Sequence, residues 1–171
     1  MSTTSAPRVV VMGVSAAGKS TVARLLAGRL GGAFLDADDL HPAANREKMS
    51  AGIPLNDDDR MPWLDRVASE LTARDATSVV VACSALRRAY RDRIRATNPG
   101  VVFVHLHGSD ELLGERAAAR TDHFMPPSLL ASQIATLELL DGDEDGVTLD
   151  VAATADAIAR AAVEWLNTRS S

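Results

Sequence analysis

The chain carries one cysteine, Cys83, among 171 residues. A lone thiol cannot close an internal disulfide, which excludes the disulfide-stapled secreted class and suits a reducing cytoplasm. At the end of an apolar run it reads as a small buried residue rather than a nucleophile. Aromatic residues are also scarce, six in all, and there is no basic block within a net charge of −5. Sequence-independent nucleic-acid binding needs clustered Lys/Arg and stacking rings, so that class is excluded. No apolar run approaches the length of a membrane span, and Met1 to Pro7 is too polar for a secretory signal. The expectation is a cytoplasmic protein with neither a nucleic-acid nor a membrane partner. Repeats, low-complexity tracts and Gly/Ser/Pro linkers are missing as well. The chain therefore reads as one domain over 1–171, with 1–7 as a disordered tail.

Lysine is nearly absent: sixteen of the eighteen basic residues are Arg, and only Lys19 and Lys48 remain. A compact ammonium and a planar fork are not interchangeable, so both lysines are candidates for work that Arg cannot do. For Lys48, simple retention on a solvated helix is the competing reading.

What is present is a phosphate-binding loop. Gly13 to Thr21 reads GVSAAGKST and fits G-x-x-x-x-G-K-[ST]. An apolar run, Arg8 to Met12, precedes it, and apolar residues at helical spacing follow it to Leu30. Strand, loop and helix together make the pattern mechanistic: inward backbone N–H groups and a helix N-terminus hold a polyphosphate. This gives Gly13, Val14, Ser15, Ala16, Ala17, Gly18, Lys19, Ser20 and Thr21 as ATP-binding residues. Lys19 is expected to reach the β- and γ-phosphates, Ser20 to hold Mg²⁺, and Thr21 to bond an inner phosphate. Ala16 and Ala17 are tolerable there if neither needs a positive φ.

Strand patterns fall at 8–12, 33–36, 78–83, 101–106 and 147–150. Helical patterns fall at about 19–30, 42–51, 62–74, 86–97, 109–121, 127–139 and 155–167. Short apolar strands alternating with helices predict an α/β fold, a five-stranded parallel sheet with helices on both faces. Ligands in such sheets sit at the carboxyl ends of the strands, so the residues just after each strand carry the chemistry.

No Asp follows strand three or four, and the carboxylates available for Mg²⁺ and for an acceptor hydroxyl are Asp36 and Asp38. Two residues apart, they point the same way if the strand continues. Asp36 is assigned to metal and Asp38 to the hydroxyl, against the alternative that Asp38 or Asp39 merely caps a helix. Asp57 and Asp58 read as complements of a helix dipole, whereas Arg60 at the cleft rim suits a carboxylate clamp. Trp63 reads as core. Arg87 and Arg88 open a helix, where a cation opposes the dipole, and a cost without structural return suggests an anionic ligand. Tyr90 and Arg91 follow, and spacing does not choose which of them faces the cleft. Arg116 and Arg120, one turn apart before a Pro-ended loop, fit a lid at about 116–126 that neutralises the transferring phosphate and excludes water. His123 reads equally as catalytic or as lid packing.

These residues resemble the phosphate-loop gluconokinases, relatives of shikimate and adenylate kinases. The resemblance runs through GVSAAGKST, LDADDLHPAANREKMSAGIPLNDDDRMPWL (35–64), VVACSALRRAYRDRIR (80–95) and HFMPPSLLASQIATLE (123–138). The long second segment, with LHP, N-x-x-K-M, G-x-P-L and D-x-D-R-x-P-W-L, is the specific one. Ala37 stands where that family usually has Gly between the two Asp. The resemblance implies ATP- and Mg²⁺-dependent phosphorylation of D-gluconate at its 6-hydroxyl. It makes Lys19, Asp38 and Arg120 the catalytic set, and Arg116 and Arg120 nucleotide-side lid residues, with adenine between Arg116 and the loop after strand five. Asp38, His41, Lys48, Arg60, Arg88 and Gln133 become the substrate side. A homodimer is common among such enzymes. The competing readings are a related kinase with a shikimate-like acceptor and a non-catalytic nucleotide switch. The switch lacks support, since the chain has no Asn-Lys-x-Asp guanine-reading motif.

Overall fold

Every residue of Val9–Met12 is buried, as a strand covered on both sides must be. In the computed structural model, which describes residues 6–73, 77–119 and 127–169, this strand is the centre of a parallel sheet. The strands are β1 (Arg8–Met12), β2 (Ala33–Asp36), β3 (Val79–Ala82), β4 (Val102–His107) and β5 (Gly146–Asp150), in the order β2-β3-β1-β4-β5. All four pairings are parallel. The helices are α1 (Lys19–Leu30), α2 (Ala43–Ser50), α3 (Asp57–Thr72), α4 (Arg88–Thr97), α5 (Asp110–Ala119), α6 (Pro127–Thr136) and α7 (Ala155–Arg169). The expected architecture is found, with every strand within one residue of its predicted bounds.

Alternation along the strands divides the core in two. Val9, Val11, Val80, Val102, Val104 and Leu106 pack under α1 and α7 through Val22, Leu26, Ile158 and Leu166. Val10, Met12, Val79, Val81 and Phe103 pack under α3 and α4 through Leu64, Val67, Leu71 and Ile94. Trp63 belongs to this second core, as expected, and Cys83 is buried in it too, with its thiol pushed up to about 12 by burial. That thiol is inert at neutral pH.

Several boundaries differ from the sequence reading. Helix α3 starts at Asp57, five residues ahead of the 62–74 pattern, although Pro62 lies inside it. A capping box explains this: Asn56 Oδ1 accepts the Asp59 N–H at 2.8 Å, and Asp59 Oδ2 accepts the Asn56 N–H at 3.0 Å. The tail expected over 1–7 is anchored at its end, where the Pro7 carbonyl accepts the Val79 N–H. Helix α6 ends at Thr136, and an acidic segment, 138–145, runs from there toward β5. Residues 120–126, with Arg120, His123 and most of the expected lid, lie outside the described residues, as do residues 1–5 of the tail.

Candidate active site

The phosphate loop turns between β1 and α1 as a 3₁₀ turn, Ser15–Ala17, and Gly18 precedes α1 at φ +83°. Gly13 is required by space: a Cβ there would lie 2.7 Å from the Leu106 carbonyl oxygen. Ala16 and Ala17 are buried, and neither has a positive φ, so the condition for Ala at these positions is met. Gly13, Val14, Ala16 and Ala17 form the buried wall of the cradle. Ser15, Gly18, Lys19, Ser20 and Thr21 face a cleft of about 380 Å³, which they share with Asp36, Asp38, Ala82, Ser84 and Gln133. Lys19 Nζ donates to the Val14 carbonyl at 3.1 Å, folded back over its own loop.

Asp36 ends β2, and the strand does not continue to Asp38. Asp36 Oδ1 caps a 3₁₀ turn, Ala37–Leu40, by accepting the Asp38 N–H at 3.0 Å. The expectation that strand alternation aligns the two carboxylates is therefore corrected: a capped turn brings both into the cleft. Ala37, buried in this turn without a positive φ, offers its carbonyl to Trp63 Nε1 at 2.7 Å, which fastens the turn to α3. Ser20 Oγ donates to Asp36 Oδ2 at 3.2 Å. Burial above all, and then the neighbouring Asp36, raise the Asp38 carboxyl above the ordinary range, while Lys19 and His41 pull against them.

His41 is buried and stacks on Trp63 with ring centroids 4.3 Å apart. Asn45 Nδ2 donates to the Asp59 carbonyl at 2.9 Å and faces His41 Nδ1 at 3.2 Å. A carbonyl only accepts, so this Asn45 atom is the amide nitrogen, His41 Nδ1 accepts, and the ring proton sits on Nε2. Burial first, with the charges of Arg46 and Arg60, lowers the His41 pKa against the pull of Asp38, so the ring is neutral near pH 7.

Of the remaining substrate-side candidates, Gln133 lines the cleft, whereas Lys48, Arg60 and Arg88 stand outside the lining set. Lys48 Nζ grips both Asp59 carboxylate oxygens, at 2.9 and 2.8 Å, and ties α2 to α3. Arg60 Nη1 donates to the Tyr90 hydroxyl at 3.2 Å, and that hydroxyl donates to Asp57 Oδ1 at 2.6 Å. Arg88 pairs with Asp141 and Asp143 at 2.8 and 2.7 Å, and its N–H is accepted by Glu138 at 2.8 Å. The argument that Arg88 lacks a structural return is thus overturned: the 138–145 segment supplies it. Arg91, which spacing left open, faces the core. Arg116 is half-buried in the last turn of α5. Gln133, on α6, accepts from both the N–H and Oγ of Ser15. Sequence reasoning missed Ser84, whose only signal was its place just after β3.

A phosphate cradle facing paired carboxylates across one cleft is the arrangement of a small-molecule kinase. A family model described as an AAA domain matches residues 9–140. A gluconokinase of Gluconobacter oxydans is 49% identical over 140 residues, spanning 80% of this chain and 78% of that protein. A crystal structure of a gluconokinase from Sinorhizobium meliloti superposes with a TM-score of 0.82 at 46% identity, covering 96% of this chain and 98% of that one. A sugar kinase structure from Janibacter gives 0.86 at 45% identity, covering 95% of each chain. With such identity across nearly the whole fold, on both sides of the cleft, the chain belongs to the gluconokinase family.

Proposed function

We propose that this chain transfers the terminal phosphoryl group of ATP to the 6-hydroxyl of D-gluconate, giving 6-phosphogluconate and ADP. The observation that carries this reading is the meeting of the Lys19 loop and Asp38 in one cleft, with the Asp38 carboxyl raised by its surroundings. A carboxylate made more basic is suited to accept a hydroxyl proton as the oxygen attacks. Lys19, released from the Val14 carbonyl, neutralises charge on the transferring group. Arg116, and Arg120 from the lid expected over 116–126, add positive charge beside the phosphates, with adenine between Arg116 and the loop after β5.

Ser20 and Asp36 fit Mg²⁺: both are hard oxygen donors, already within hydrogen-bond reach of each other. Among the described residues no cluster of three or more His, Cys, Asp or Glu forms a metal cage. That matches an ion held by one or two protein oxygens and the nucleotide. When bound, the ion supplies charge neutralisation on the phosphate oxygens.

On the acceptor side, His41 offers its Nε2–H to a sugar hydroxyl, and Arg60 is the clamp for the gluconate carboxylate. Gln133 serves the acceptor once a phosphate takes its place at Ser15. Lys48 and Arg88 act by holding the walls of the site. Among the described residues no helix is long and apolar enough to cross a membrane, and the buried thiol suits a cytoplasmic enzyme. A homodimer is common among such enzymes, and light scattering is the check of assembly.

The test is ADP release from ATP and Mg²⁺ with D-gluconate, shikimate, AMP or another aldonate as acceptor. Release with gluconate above all others is expected. Release with another acceptor and not gluconate would overturn the substrate, and ATP binding without turnover on any acceptor would favour a switch.

A further inference from the structure

We propose that Arg91 is a positioning residue for phosphoryl transfer, holding the Ser84–Ala85 turn so that Ser84 faces the acceptor. The inference rests on the function proposed above. Arg91 and Glu144 are both wholly buried and pair through two bonds, Nε to Oε1 at 2.7 Å and Nη2 to Oε2 at 3.0 Å. Burying an ion pair rarely stabilises a fold more than apolar packing of the same volume. Its retention therefore calls for a reason, and the third nitrogen provides one. Arg91 Nη1 donates to the Ala85 carbonyl at 2.9 Å.

Ala85 has φ +43° and is the only described non-glycine residue in the left-handed region. An L side chain resists that conformation, so the surroundings must impose it. Three elements do so through consecutive carbonyls. The Gly13 N–H of the phosphate loop donates to Ser84 at 3.3 Å, Arg91 of α4 to Ala85, and the Glu138 N–H to Leu86 at 2.7 Å. The turn thus links the nucleotide side of the site to α4 and to the acidic segment. Its product is the placement of Ser84 in the cleft wall beside Lys19, Asp36 and Asp38. A hydroxyl there suits a polyol acceptor, since it both donates and accepts.

A purely structural staple and a positioning residue differ in what their loss moves. The experiment uses the full chain, with melting temperature, nucleotide affinity by titration and gluconate KM measured for Ser84→Ala, Arg91→Lys, Ala85→Gly and the double variant Ser84→Ala/Arg91→Lys. Lysine keeps a charge for Glu144 but loses the fork that also reaches Ala85. Glycine leaves the ion pair intact but opens many more conformations to the turn, so that Ser84 is held less firmly. The expected result is a gluconate KM raised about tenfold by Ser84→Ala and by Arg91→Lys, since small misplacements at a reacting centre are costly. Nucleotide affinity stays unchanged. Ala85→Gly raises the same KM without lowering the melting temperature, and the double variant is no worse than either single change, because Arg91 acts through Ser84. A wild-type gluconate KM in Ala85→Gly and in folded Arg91→Lys would overturn the assignment, as would additive losses in the double variant. A wild type that does not turn over gluconate would instead overturn the functional reading, and this is seen before any variant is compared.

Discussion

The carboxamide oxygen of Gln133 accepts two hydrogen bonds from Ser15, one from its N–H at 2.8 Å and one from its Oγ at 2.9 Å. Ser15 belongs to the phosphate loop, so α6 is fastened directly to the cradle. On the function proposed above, a phosphate oxygen that takes this N–H displaces Gln133 and frees its side chain for the acceptor.

Gln133→Ala is therefore expected to leave ATP binding as tight as in the wild type or tighter. Gluconate KM should rise about two- to tenfold, the value of one hydrogen bond. Calorimetric ATP titration and steady-state kinetics check this; weaker ATP binding would refute the exchange.

Asp38→Asn should lower kcat by about 10²-fold or more, the usual share of a positioned base. ATP affinity should persist. The linkage has a definite sign. A carboxyl whose pKa is raised by folding contributes stability below its unfolded pKa and loses it as pH rises through the folded value. At neutral pH the ionised Asp38 thus opposes folding, and Asn removes that cost. The ligand-free variant should melt no lower than the wild type, with only a small gain because the cleft admits water.

Asp36→Asn keeps an oxygen for the Asp38 N–H but removes the charge beside Ser20. The Mg²⁺ concentration for half-maximal rate should rise about tenfold, with melting temperature nearly unchanged. Metal titration at fixed ATP measures it, and an unchanged requirement would remove Asp36 from the metal site.

Stability should fall in two stages on acidification. His105 is fully buried on β4, neither ring nitrogen finds a partner among the described residues, and burial, then His107 and Arg91, bring its pKa to about 4. The unfolded chain binds that proton first, so stability declines from about pH 6.5 toward 4. Glu144 follows. Burial works to raise its carboxyl, but hydrogen bonds from Arg91, the Asp141 N–H and Arg95 outweigh it and bring it to about 2. Its contribution is present above its ordinary 4.5 and is lost as pH falls toward 2. His105→Leu should abolish the upper stage and stabilise by about 1 kcal/mol, because an unpaired buried polar group is removed. Urea unfolding from pH 8 to 3 would show it.

Local chemistry made much of this molecule readable in advance. Buried parallel strands announce themselves as Val-rich runs such as Val9 to Val11, and the glycines and Lys19 of the loop are dictated by backbone geometry within nine residues. Asp36 and Asp38 were legible because they follow a strand, although the reason they share the cleft is a capped turn and not an extended strand. The helical pattern of α3 is plain only from residue 62, and the Asn56–Asp59 capping box carries the helix back to Asp57, where Asp57 and Asp58 complement its dipole.

By itself, then, the sequence determined the strand and helix periods, the phosphate loop and the carboxylates after β2, all encoded by neighbours along the chain. Only the tertiary structure decided which cations are engaged elsewhere. Lys48 belongs to Asp59, Arg88 to Asp141 and Asp143, and Arg91 to Glu144, with these partners 11 to 55 residues away, while Arg91 also reaches the Ala85 carbonyl ahead of its own helix. An arginine on a helix carries no local mark of its partner. Long-range packing alone brings the 138–145 segment against Arg88 and Arg91 of α4, and α3 against Lys48 of α2, and so gives all three cations partners within the protein.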